Sequence, residues 1–119
     1  MEYQVPDEIR LSHDKRVLIL VYAHGRYELS AEYLRVFSPS AEVRGHGKGQ
    51  EILQTGKREV TIESLTPVGH YAIRIAFSDG HDSGLYDWNY LFALSTQKQE
   101  RWAEYEKQLH QAGASRDAM

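Results

Sequence analysis

The sequence predicts an α+β fold: a small, mostly antiparallel sheet (a meander plus a hairpin), one short helix after the meander and a C-terminal helix. Three observations carry this expectation. Residues 8–29 read as an antiparallel meander: alternating Ile9 and Leu11, an apolar run over 16–22 and a short return over 26–29, with turn residues between them. Tyr71, Ile73, Ile75 and Phe77 occupy every second position, the cleanest strand signal in the chain. Trp102, Tyr105 and Leu109 recur at helical spacing on an otherwise charged segment.

Element by element, Ile9 and Leu11 start a strand and Asp14-Lys15 turns it. Residues 16–22 are β-branched and apolar on both faces, as in a central strand. Ala23-His24-Gly25 is the next turn, and Arg26 to Leu29 the returning strand. Ser30 is a suitable N-cap for a helix carrying Ala31, Leu34 and Phe37, which Pro39 ends by restricting Ser38. Residues 38–56 hold four glycines and almost no periodicity, which predicts a long irregular loop. A strand is expected from Glu59 to Leu65, a turn at Pro67-Val68-Gly69, and then the strand at 71–77. After the tight turn Ser78-Asp79-Gly80, a short segment reaches Leu85, and Trp88, Leu91 and Phe92 follow at helical spacing. The last helix is expected from Thr96 to Ala112, with Gly113 as its stop and 114–119 frayed. The division is therefore a domain over 1–95 and an amphipathic helix with its tail over 96–119.

With 119 residues, the chain has room for one domain. Its 14 basic and 17 acidic residues leave a net charge of −3, which gives no broad attraction for nucleic acid or an anionic membrane. The absence of cysteine removes disulfides, thiolate nucleophiles, Fe–S ligation by this chain alone and every zinc site that uses sulfur, and fits a reducing compartment. No apolar run approaches the roughly 20 residues of a bilayer span, and the N-terminus has no signal-peptide pattern. A cytoplasmic protein is expected.

Several segments could carry chemistry. Arg44-Gly45-His46-Gly47-Lys48-Gly49-Gln50 joins free backbone N–H groups to cations, as a site for an anion or an acidic partner would; the alternative is a solvated loop. It lacks the Gly-Lys-Ser/Thr of a P-loop. Six histidines include no His-x₃-His pair. Asp79, His81 and Asp82, with His70 nearby in sequence, form the best set for a divalent cation such as iron; the alternative is a turn histidine bonded to local backbone. Ser78-Asp79-Gly80-His81 contains triad residue types, but a working triad converges from separated segments, and no nucleophile elbow is present. Tyr86, Trp88, Tyr90 and Phe92 could stack on bases, yet without a basic groove they read as core.

The segment Ser78-Asp79-Gly80-His81-Asp82-Ser83-Gly84-Leu85-Tyr86-Asp87-Trp88 resembles the γ-butyrobetaine hydroxylase-like N-terminal domain family, formerly a domain of unknown function. The resemblance extends back through Pro67 to Ile73 and Leu34 to Ser40, and covers roughly residues 5–94. It implies a small α+β module. In eukaryotic oxygenases this module precedes the catalytic jelly roll and holds a structural zinc through a Cys-Pro-Cys-x-x-Cys segment and a histidine. Those positions fall here on Ser38, Ser40, Val43 and His81, and only the histidine survives. The resemblance thus implies a chain that folds without zinc, with Ser38-Pro39-Ser40 a hydrogen-bonded turn and Val43 a packing residue. It carries no oxygenase activity, because the iron and 2-oxoglutarate sites belong to the jelly roll. Similar domains are also appended to Mrp/ApbC-type P-loop ATPases that carry iron–sulfur clusters.

A stand-alone, non-enzymatic accessory domain is therefore expected, docking on a protein partner of an iron–sulfur or oxygenase-related system. Its expected contact residues are Arg44, His46, Lys48 and Trp88. The rival is a divalent-metal module using His81 with Asp79, Asp82 or His70. A weak homodimer through the stripe of the terminal helix is a further expectation.

Overall fold

The computed structural model describes residues 5–45 and 51–118. Strands β1 (Glu8–Leu11), β2 (Val17–Tyr22) and β3 (Gly25–Ser30) form one antiparallel sheet with β2 in the middle. Strands β4 (Ile62–Val68), β5 (Ala72–Phe77) and β6 (Leu85–Asp87) form a second, with β5 in the middle. The meander and the hairpin expected from the sequence are thus two three-stranded sheets. They meet where the Ile62 N–H donates to the Lys15 carbonyl at 2.8 Å. Lys15 sits in the β1–β2 turn at φ 63°, a left-handed conformation unusual for a residue with a Cβ.

Leu18, Leu20 and Tyr22 from the first sheet and Ile62, Ile73, Ile75, Phe77 and Tyr86 from the second share one core. Period-two alternation turns these positions to the same side of each strand. Helix α1 (Ala31–Val36) opens on Ser30, whose hydroxyl accepts the Tyr33 N–H at 3.0 Å. Its Leu34 and Tyr33 are fully buried. Helix α3 (Trp88–Thr96) is capped by Asp87, whose carboxylate accepts the Tyr90 N–H at 2.7 Å.

Four expectations need correction. The hairpin turn lies at 69–71, because β4 runs on through Pro67 to Val68. Pro67 is tolerated there because β4 is an edge strand. Within the segment read as irregular, Ala41–Arg44 form a single helical turn, α2, closed by Gly45 at φ 73°. The terminal helix α4 (Lys98–Ala112) starts after Thr96, which belongs to α3; Gln97 breaks the two apart.

The fourth correction concerns the tail. Gly113 stops α4 in the left-handed conformation, as expected, but residues 114–118 do not fray. Arg116 forms a two-pronged ion pair with buried Glu32, both bonds at 2.7 Å, and its guanidinium lies 5.1 Å from the Trp102 ring. The carbonyls of Ser115 and Arg116 accept the N–H groups of Gly56 and Arg58 at 3.0 Å each. Arg58 also pairs with Asp117. The stripe of α4 turns inward as well, with Tyr105 and Leu109 buried against Val36 beside Phe37 and Leu53.

Candidate partner-binding site

The turn after α1 and the turn after β5 bring three polar side chains together in the interior. Ser38 is 1% exposed, Ser40 6% and His81 8%. The Ser38 Oγ lies 2.8 Å from His81 Nε2, and the Ser40 Oγ lies 3.3 Å from the same nitrogen. Ser40 is also the N-cap of α2, yet its side chain makes no cap bond because its hydroxyl faces the histidine. The backbone N–H of Ser40 donates to the Ser38 Oγ at 3.4 Å, which makes Ser38-Pro39-Ser40 a hydrogen-bonded turn. Gly84 covers the cluster. A Cβ at that position would stand 2.5 Å from the Ser38 Oγ and 3.2 Å from Pro39, so only glycine permits the approach.

These are the positions that the family resemblance assigns to zinc. Two neutral hydroxyls and one imidazole converge there, and the fourth position, Val43, is a buried hydrocarbon. That donor set does not fit a tetrahedral zinc, which takes thiolate, imidazole or carboxylate. Burial lowers the His81 pKa from its ordinary value, and the charge of Arg35 adds to this, which favours the neutral ring. Phe77 packs beside it, its ring centroid 6.2 Å away.

Asp79, next to this cluster, is fully engaged. Its carboxylate accepts Arg35 Nε at 2.9 Å, Lys57 Nζ at 2.7 Å and the His81 N–H at 3.2 Å. Burial works against its charge, but Lys57, the His81 N–H and Arg35 outweigh it and hold the pKa at about 2. Asp82 and His70 are exposed, and the His70 carbonyl receives the Trp88 indole N–H at 2.7 Å. Among the described residues, no three histidine or carboxylate side chains are placed to hold a metal ion together. A cation taken up at this turn would have to draw His81 from its serines and Asp79 from its two cations.

A groove of about 850 Å³ lies between the α1–α2 turn, residues 51–54 and α4. Phe37, Val43, Ile52 and Leu53 supply its apolar surface. Tyr90 stands in the groove with its hydroxyl bonded to the Phe37 carbonyl at 2.6 Å. The Arg44 guanidinium lies 5.0 Å from the centre of the Tyr90 ring, and that of Arg101 lies 5.7 Å from the same ring and 5.7 Å from Phe37. Each contact is of cation–π type. Ile52 is 56% exposed at this groove.

Of the expected contact residues, Arg44 lies in the groove, whereas Trp88 does not line it. His46 and Lys48 lie outside the described residues. Arg101 and Ile52 carry no signal of their own in the sequence, and Tyr90 stands there only among the alternating aromatics. Arg101 reads there as one charge among many on a solvated helix face, and Tyr90 as core; no local pattern joins them to Arg44. Among the described residues, no helix is long and apolar enough to cross a membrane.

The family model described as gamma-butyrobetaine hydroxylase-like, N-terminal, matches residues 9–92, and the chain belongs to that family. Two proteins with NMR solution structures are similar to it. One is 46% identical, with 98% of this chain and 92% of the other covered and a TM-score of 0.85. The other is 41% identical, with 97% and 86% covered and a TM-score of 0.81. A crystal structure at 1.93 Å of a protein of unknown function, from the DUF971 family of Acidithiobacillus ferrooxidans, is 40% identical. That match covers 76% of this chain and 91% of the other, with a TM-score of 0.62. No protein of curated function matches.

Proposed function

We propose that this protein is a non-enzymatic, cytoplasmic accessory domain that docks on a protein partner through the groove between α1–α2 and α4. The observation that carries the reading is Ile52, a large apolar side chain left half in water beside an apolar groove rimmed by Arg44 and Arg101. Exposed apolar surface with a polar rim is how protein contact sites are built. The company kept by similar domains, beside iron–sulfur carrier ATPases and ahead of oxygenase jelly rolls, makes a protein of those systems the first partner to seek.

Affinity capture from cells tests the proposal. Wild-type protein is expected to recover a stable partner that Ile52→Asp loses while keeping its circular dichroism and melting temperature, since Ile52 sits at the surface. Equal recovery by both proteins would refute the groove as the docking site.

A further inference from the structure

We infer that the segment docking in this groove is an acidic peptide of the partner, its carboxylates engaging Arg44 and Arg101 and an adjacent apolar side chain resting on Ile52. The inference deepens the docking reading and rests on it. Nine arginines occur in the chain, and six of them (Arg10, Arg16, Arg26, Arg35, Arg58 and Arg116) are ion-paired. Of the other three, Arg74 lies exposed on β5, while Arg44 and Arg101 meet at one aromatic ring. Neither of these two has a carboxylate partner among the described residues.

Two guanidinium groups held on one ring repel each other, and that repulsion is relieved when an anion binds. The ring also fixes the planes of the guanidinium forks, which lowers the entropy lost when a carboxylate binds. Gln97 holds Arg101 from behind, its Oε1 accepting the Nε–H at 3.0 Å and leaving the terminal nitrogens for a ligand. Glu51, the acid that lines the groove, is engaged by interactions of its own, and Glu104, in the neighbouring cavity with Glu100, accepts from Gln108 at 3.2 Å. The cationic rim beside exposed Ile52 therefore complements a segment that is both acidic and apolar.

The test titrates the full-length, ¹⁵N-labelled protein with three ten-residue peptides of equal leucine content, in which the polar positions are glutamate, serine or lysine. The glutamate peptide is expected to give saturable amide shifts at 36–45, 51–54, 90 and 101, and to bind at least tenfold tighter than the serine peptide. Arg44→Glu/Arg101→Glu is expected to reverse the preference toward the lysine peptide, a result that loss of folding cannot mimic. Equal binding of all three peptides, or no saturable shift from the glutamate peptide up to millimolar concentration, would overturn the acidic assignment. So would citrate alone binding as tightly as the glutamate peptide, which would mark a small-anion site. If Ile52→Asp still loses the captured partner in those cases, the docking reading stands and only its chemistry is wrong.

Discussion

His81 Nε2 stands within hydrogen-bond distance of two buried hydroxyls, so its removal orphans the Ser40 Oγ and leaves the Ser38 Oγ with the Ser40 N–H alone. Leaving a buried polar group unsatisfied costs about 1–3 kcal/mol. His81→Leu is therefore expected to destabilise the chain by about that amount, read as a lower urea midpoint with an unchanged slope. Ser40→Ala added to His81→Leu should recover part of the loss, because the orphaned hydroxyl disappears. If the double variant is less stable than the sum of the single effects, the hydrogen bond is not the interaction that matters. His81 and its near neighbour Asp79 set a pH dependence. His81 has a depressed folded pKa, so its contribution is complete above the unfolded value of 6.5 and is lost as pH falls below it. Asp79 is shifted from 3.8 to about 2, so its ion pairs contribute above 3.8 and are lost as pH falls toward about 2. With its side chain one-fifth exposed, solvent screening holds the Asp79 share to roughly 1 kcal/mol. Melting temperature should thus fall in two steps on acidification, and His81→Leu should abolish the upper one.

At the scale of elements, α4 and its tail behave as a strap. Tyr105 and Leu109 lie against Val36, and the Tyr105 hydroxyl donates to the Gln54 carbonyl at 2.8 Å, fixing residues 51–54 at the edge of the groove. Beyond Gly113, Arg116 neutralises Glu32, a carboxylate buried in α1. A chain ending at Gly113 leaves that charge without its partner, and breaking a buried pair on one side costs several kcal/mol, less where one partner is part-exposed. Truncation there is expected to destabilise the fold by about 2 kcal/mol, measured by urea denaturation, and Glu32→Gln in the truncated chain should restore part of it. No loss on truncation would show that the tail contributes nothing. Of the three residues of the α4 stripe, Tyr105 and Leu109 are buried against the chain's own Val36, and Trp102 is partly buried.

Across the whole molecule, one core joins two sheets that each have only three strands. A three-stranded sheet needs packing against something else to be stable, and here each sheet supplies the other's partner. The groove sits outside that core, on the side closed by α4, so ligand contact there need not disturb the sheets. That placement separates the predictions: changes at Ile52, Arg44 and Arg101 should alter binding at constant melting temperature, whereas changes at His81 and Glu32 should lower melting temperature.

Local chemistry, legible without coordinates, determined the strand with alternating Ile73, Ile75 and Phe77, the Ser30 cap and the Gly113 stop. Each of these depends on residues a few positions apart, whose backbone preferences and hydrophobic period act before any tertiary contact forms. The division into two sheets, the anchoring of the tail on Glu32 and the meeting of Arg44 with Arg101 at Tyr90 depend on residues more than ten, and often more than fifty, positions apart. Chain composition carries no record of which distant charges will be paired and which left over. Only packing decides that, because a cation is spare when the fold, and not its neighbours in sequence, withholds a carboxylate from it.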